Sequence, residues 1–179
     1  MKLYQNFFES KLGTLTLLSD EKNLLGLWFN GQKYFGAGYD LNTVEVSVTR
    51  PIGQALKWLT DYFAGQTPDP FAVPIKPNVS TFSQKVLKEL QKVPYGEVTS
   101  YKELSNRVQK GQNKINLARA ARAVGNAVKH NPISLIIPCH RVIGSDGSLT
   151  GYAGGLERKK ALLKTENPQI KFSRQLDLL

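Results

Sequence analysis

Four of the chain's 9 prolines, Pro68, Pro70, Pro74 and Pro77, crowd into the stretch from Thr67 to Asn78. Proline fixes φ and donates no backbone hydrogen bond, so neither a helix nor a central strand can run through such a stretch. It reads as a stiff linker and sets a domain boundary near residue 78. The 179 residues then divide into two blocks, 1–78 and 79–179, each long enough for a small domain.

Charge changes character at the same place. Residues 1–79 hold 7 Lys+Arg and 7 Asp+Glu, so the formal net charge of +10 resides in residues 80–179. A neutral block joined to a basic one favours a polyanion partner for the second, most simply nucleic acid. Solvated lysines on helix surfaces would give the same count. No stretch approaches the roughly 20 apolar residues of a membrane helix. The start, Met1-Lys2-Leu3-Tyr4-Gln5-Asn6, lacks the apolar run of a secretory signal, which points to the cytoplasm, or to the nucleus in a eukaryotic source. A single cysteine excludes an internal disulfide and a multi-cysteine zinc site.

Within the first block, Leu12 to Leu18 and Leu24 to Phe29 are apolar runs separated by the turn-forming Ser19-Asp20-Glu21-Lys22-Asn23, which predicts a β-hairpin ended by Asn30-Gly31. Pro51 then opens a segment with Ile52, Ala55, Leu56, Leu59 and Phe63 at helical spacing, closed by Gly65. The second block is helical in pattern. Ser80 or Thr81 can cap a helix carrying Phe82, Val86, Leu87 and Leu90, broken at Pro94-Tyr95-Gly96. Ser100 and Glu103 have capping-box spacing and open a second helix through Val108. After a polar stretch, Gln109 to Asn116, comes a third helix from Leu117 to Lys129. Short helices joined by a turn in a basic block suggest a helix-turn-helix.

The third helix carries Ala118, Ala120, Ala121, Ala123, Gly125 and Ala127, with Arg119, Arg122 and Lys129 between them. Small residues permit close approach to another surface, and the arginines could reach phosphates or a groove. Alanine is also the best helix former, and the same residues could simply pack against neighbouring helices. Apart from Asn126 the helix lacks the Asn and Gln side chains suited to reading adenine, which favours sequence-tolerant binding.

Ile136-Ile137-Pro138-Cys139-His140-Arg141-Val142-Ile143 concentrates the chemistry. A lone cysteine is commonly a small buried hydrophobe. Here it is flanked by Pro138, His140 and Arg141 inside the basic block, and the two basic neighbours can favour a thiolate. An ordinary thiol is only a few per cent ionised at neutral pH, so a nucleophilic Cys139 needs a base, and His140 is the nearest. The other histidine, His130, ends the third helix, where a cation suits the helix dipole, and reads as structural or surface.

Pro138-Cys139-His140-Arg141-Val142, with Pro94-Tyr95-Gly96-Glu97-Val98, Tyr101, Ala121 to Ala127, Asn131-Pro132, Gly151-Tyr152-Ala153-Gly154-Gly155, Leu162-Leu163 and Glu166, resembles the O6-alkylguanine-DNA alkyltransferases. The resemblance spans the second block; the first matches only in length and mixed character. It implies that Cys139 accepts the alkyl group, that His140 takes its proton through a water, and that Glu166 orients His140. Asn131 would brace the link between the binding helix and the cysteine segment. Tyr101 would hydrogen-bond or protonate guanine N3, and the backbone of Val142 and Cys139 would accept from the exocyclic amine. The N–H of Ala153 would face O6, with Tyr152 lining the pocket. The third helix, with Arg119, Ala123, Gly125 and Ala127, would enter the minor groove, and Arg122 would replace the flipped nucleotide in the stack.

The implied partner is double-stranded DNA containing O6-alkylguanine, with O4-alkylthymine as a further candidate; no cofactor, metal, membrane or obligate protein partner is expected, and the chain is expected to act as a monomer. The expected fold is α+β: a small N-terminal α/β domain, an antiparallel sheet with a helix, followed by a mostly helical, winged helix-turn-helix-like DNA-binding domain. Two departures stand out. Many relatives have serine where this chain has Ala153, which bears on substrate range, and Gln109 to Asn116 looks like an insert, either a longer loop or an extended DNA contact. Three rival readings remain. Alkyltransferase-like lesion binders replace the acceptor cysteine, a winged-helix regulator would prefer one operator, and a cysteine hydrolase normally keeps its base distant in sequence.

Overall fold

The computed structural model describes residues 1–110 and 117–173, with backbone alone for 117–119. The chain forms two compact units, residues 1–78 with 132–136, and residues 79–131 with 137–179.

The first unit is a four-stranded sheet with one helix. Strands β2 (Gly13–Ser19) and β3 (Leu24–Phe29) form the expected hairpin. The Asp20 carboxylate shapes its turn by accepting from the backbone N–H of Lys22 at 2.8 Å and of Asn23 at 2.6 Å. Strand β1 (Tyr4–Ser10) pairs antiparallel with β2 along its whole length. The sequence pattern hides it, because its buried residue is Gln5 while Phe7 is 45% exposed. The Gln5 amide donates to the carbonyls of Leu41 at 3.0 Å and Val44 at 2.9 Å, so the polar side chain is satisfied inside.

The short β4 (Glu45–Val46) runs parallel to β1, giving the order β3-β2-β1-β4. The sheet is therefore mixed, which corrects the expectation of a purely antiparallel one. The chain reaches β4 by a long connection through two 3-10 turns, Phe35–Gly38 and Leu41–Thr43, and no hairpin constrains its direction. Helix α1 (Arg50–Phe63) starts where Thr49 caps the Ile52 N–H and Pro51 occupies the first turn. It buries Ile52, Ala55, Trp58, Leu59 and Tyr62.

Two later segments cover the outer edge of β3. Ile75 bridges to Leu24, and the Leu24 backbone exchanges hydrogen bonds with Pro74 and Lys76 at 2.7 and 2.9 Å. The proline-rich stretch is thus a sheet edge as much as a connection. Ile133 bridges to Leu27 in the same way: the Leu27 N–H donates to Pro132 and its carbonyl accepts from Ser134, at 2.9 and 2.8 Å. Residues 132–136 consequently belong to the first unit, which corrects the boundary that the sequence predicts, with all of 79–179 in the second block. Their apolar side chains Ile133, Leu135 and Ile136 are buried there, and their backbone closes an otherwise open edge.

In the second unit, α2 (Thr81–Gln91) is capped by Ser80, and α3 (Tyr101–Val108) opens with the full Ser100–Glu103 capping box. Helix α4 (Leu117–Lys129) packs with both. Most of the expected insert, residues 111–116, lies outside the described residues. The strand β5 (Thr99–Ser100) pairs parallel with β6 (Val142–Ile143), and α5 (Leu156–Glu166) completes the unit. No helix among the described residues is long and apolar enough to cross a membrane.

Candidate active site

The site is built within the second unit. Cys139, His140 and Arg141 form one 3-10 turn after Pro138, held by hydrogen bonds from Cys139 N–H to the Ile137 carbonyl and from Arg141 N–H to the Pro138 carbonyl, both 2.9 Å. All three side chains are buried: Cys139 meets Asn131, while His140 and Arg141 share Glu166. The Asn131 amide, just past α4, donates from Nδ2 to the Ile137 carbonyl at 2.8 Å and to Cys139 Sγ at 3.2 Å.

Glu166, at the end of α5, gathers the charges. Its Oε1 lies 2.7 Å from His140 Nε2 and accepts from Arg141 Nη2 at 2.9 Å, while Oε2 accepts from Arg141 Nε at 2.8 Å. The Gly96 N–H adds a longer bond to Oε2 at 3.3 Å. Gly96 has φ +78, and a Cβ there would stand 3.2 Å from the Glu166 carbonyl oxygen, so the turn after Pro94 needs glycine to reach the carboxylate. Arg141 also donates to the Val93 carbonyl at 2.7 Å and lies against the Tyr95 ring, 5.7 Å from its centroid.

Burial acts to raise the Glu166 carboxyl, but His140 and Arg141 outweigh it and hold the group well below the usual carboxylate range. Burial pushes the His140 imidazole down, against the pull of Glu166. A neutral imidazole facing an ionised carboxylate must carry its proton on Nε2. Nδ1 is then the basic nitrogen, and it is buried with no hydrogen-bond partner among the described residues.

The β5–β6 ladder sets Thr99 beside Val142 and Ser100 beside Ile143, which places Tyr101, the next residue, next to the cysteine turn. Burial raises the Tyr101 phenol, and the Cys139 charge raises it further, so it stays protonated. Burial likewise pushes the Cys139 thiol up, while the Asn131 hydrogen bond and Lys159 draw it down. Tyr152 meets the His140 ring edge-on at 6.4 Å between centroids. Gly154 lies under it: a Cβ there would come within 2.5 Å of the tyrosine ring.

Residues 81–168 match the model of the 6-O-methylguanine DNA methyltransferase DNA-binding domain, and residues 3–77 that of the same proteins' ribonuclease-like domain. The chain belongs to the O6-methylguanine DNA methyltransferase family. It is 39% identical over 170 residues to the methylated-DNA–protein-cysteine methyltransferase of Methanosarcina barkeri, covering 94% of this chain and 100% of that one. The Haemophilus influenzae enzyme of the same name is 37% identical over 164 residues, 92% of this chain and 86% of its own. The crystal structure of the Mycobacterium tuberculosis O6-methylguanine methyltransferase superposes with a TM-score of 0.77 at 37% identity, covering 94% and 95% of the two chains. A structure of the M. tuberculosis protein in complex with DNA gives 0.76 at 36%, covering 94% of each. The activity is that of the family, direct repair by methyl transfer from DNA to a protein cysteine.

For a methyltransferase of this family, the structure brings together Cys139, His140, Asn131, Glu166 and Tyr101, with Val142 and Tyr152 close by. Ala153 is half-buried beside Tyr152. On α4, Arg122 and Ala123 are exposed, together with Ala121, Asn126 and Lys129, and Gly125 is half-buried, 4.0 Å from Tyr101 by its would-be Cβ. Ala127 is a correction: it is 4% exposed, on the inward stripe with Val124 and Val128, and cannot present itself to DNA. The Arg119 side chain lies outside the described residues.

Arg141 is a second correction. Expected to favour the thiolate, it is instead committed to Glu166 and the Val93 carbonyl. The cation that draws the Cys139 thiol down is Lys159, which lies in none of the motifs above. A signal was there: Lys159 falls on the stripe of Leu156, Leu163 and Glu166, at spacings of three, four and seven, where a helix faces its core.

Proposed function

We propose that Cys139 is the acceptor, taking an alkyl group from O6 of guanine once per chain, and that the residues around it divide the proton and charge handling. The observation that carries this is the relay of Arg141 and Glu166 onto a neutral His140 whose Nδ1 is left basic beside the cysteine turn. The thiol proton passes to Nδ1 through a water, and Glu166 stabilises the imidazolium. The thiolate attacks the alkyl carbon; the S–C bond forms as the C–O6 bond breaks. Tyr101, kept as the phenol, hydrogen-bonds guanine N3 while charge develops on the base. The imidazolium later releases its proton and the base takes one up. The thioether product has no activated carbonyl, so no water regenerates the thiol.

An alkylated base in a duplex must be flipped to reach a buried sulfur. The exposed face of α4, with Arg122 and Ala123, suits the minor groove, with Arg122 filling the gap left in the stack. Ala153 offers its backbone N–H toward O6 but no hydroxyl, so its influence falls on substrate range. A DNA substrate fits a cytoplasmic or nuclear site of action, and a site complete within one chain fits a monomer.

Intact-mass spectrometry after mixing with a duplex containing O6-methylguanine tests this. The expected result is the mass of one methylene on Cys139, at most one per chain, and none in Cys139→Ala. No gain with lesion binding retained would instead mark a damage-flagging protein. No gain and no lesion preference would leave a plain DNA-binding module.

A further inference from the structure

Lys159 is fully buried, and no carboxylate pairs with it among the described residues. Its ammonium donates to three backbone carbonyls, those of Val142 at 2.5 Å, Thr150 at 2.5 Å and Gly151 at 3.4 Å. Val142 follows the cysteine turn on β6, and Thr150-Gly151 opens the loop that carries Tyr152 and Ala153. One cation thus ties the strand beside the acceptor to the loop over it. An apolar side chain would fill the position without the cost of desolvating a charge, so the ammonium calls for a partner of opposite sign.

The charged groups around it narrow the choice. On the cysteine turn, Arg141 is neutralised by Glu166 of α5. His140 is held neutral by burial, with Arg141 and Lys159 both opposing its protonation. Tyr101 of α3 stays a phenol. Among the described residues the charge that acts on Lys159 is that of Cys139, and the two act on each other: the thiolate favours the ammonium and the ammonium favours the thiolate. With the thiol protonated Lys159 faces no anion of its own; with the thiolate formed it has one, while Glu166 answers Arg141 and the proton taken up by His140.

We propose that Lys159 is the counter-charge of the Cys139 thiolate and the strut that holds the pocket loop to β6, which makes it a positioning residue for alkyl transfer. The inference rests on Cys139 being the acceptor. Burial pushes the Lys159 ammonium down to about 8, so it is charged at neutral pH but within reach of titration. Its bond to Val142 uses one lone pair of that carbonyl and leaves the other for the guanine amine.

The test is the pH dependence of single-turnover methyl uptake by Cys139 in the wild type and in Lys159→Met, which keeps the reach and removes the charge. The expected result is an apparent thiol pKa raised by about one unit, with uptake near neutral pH about tenfold slower and recovering as the pH rises. A rate lowered equally at every pH, with no shift, would leave Lys159 a structural strut and overturn the proposal. Should Lys159→Met fail to fold, the reciprocal effect is read in Cys139→Ser, by following the lysine ε-carbon through a pH titration. The Lys159 midpoint is expected lower than in the wild type; an unchanged midpoint would overturn the proposal. Absence of any mass gain on Cys139 in the wild type would instead sink the acceptor reading on which it stands.

Discussion

The first unit fills its interior with Leu15, Leu17, Leu18, Leu27, Trp28 and Phe29, and buries no Lys, Arg, Asp or Glu side chain among the described residues. The second buries Arg141, Lys159 and Glu166, with His140 between them, all around one cysteine. Apolar burial adds to stability roughly with area and needs no particular geometry. A buried charge is tolerable only where its partners are placed to within a hydrogen bond. The first unit therefore has a core that many side chains could replace, and the second has a core in which each polar residue depends on the next.

Glu166→Gln tests that dependence most severely. Removing the carboxylate leaves Arg141 buried without its counter-ion, at an expected cost of about 3–5 kcal/mol, and slows methyl uptake by the fraction that still folds. The pH dependence of melting follows the same residues. In the fold the His140 imidazole lies below its ordinary 6.5, so stability falls as the pH drops below that value. The folded Glu166 lies below its ordinary 4.5, so its contribution is complete above that pH and is lost on further acidification. Melting temperatures from pH 7 downward should show both losses, on the order of the pH values above, and Glu166→Gln should lack the second. An unchanged acid limb in that variant would remove Glu166 from the centre of the network.

Leu17→Ala in the first unit is the counterpart. Leu17 is 0% exposed, and its truncation should cost about 2–5 kcal/mol in a denaturant titration. Folded chains should still take up one methyl each at the wild-type rate; slower uptake by the folded fraction would break the separation of roles. Ser100→Ala is the smallest change. Loss of the cap on α3 should cost about 1 kcal/mol, and because Tyr101 follows directly, uptake should fall more than melting temperature does. Equal uptake would mean that Tyr101 is held by other contacts.

Which features could be read from the sequence follows the same division. The β2–β3 hairpin, α1 and the capped starts of α2 and α3 were legible, because apolar spacing and cap residues report local structure directly. Strand β1 was not, since Gln5 points in and Phe7 out, and β4 is two residues long. Around the cysteine, the resemblance named residues that the structure brings together, but not how the cations are shared. Arg141 and Lys159 look like ordinary members of a basic block, and only the fold shows one pinned to Glu166 and the other turned onto three carbonyls. Ala127 is hard to place from sequence for the converse reason: small residues on an alanine-rich helix look alike whichever face they occupy.

The bridge from Ile133 to Leu27 has a consequence for synthesis. A ribosome releases chain from the N-terminus, and domains ordinarily fold as they emerge. Here the sheet waits: until residue 134 has left the tunnel, the Leu27 N–H and carbonyl on the edge of β3 lack the Pro132 and Ser134 backbone that completes them. Some fifty residues of the other unit emerge in the interval, so the edge of the first unit's sheet is completed late, and a gene cut at residue 78 would encode a sheet with one edge unfinished.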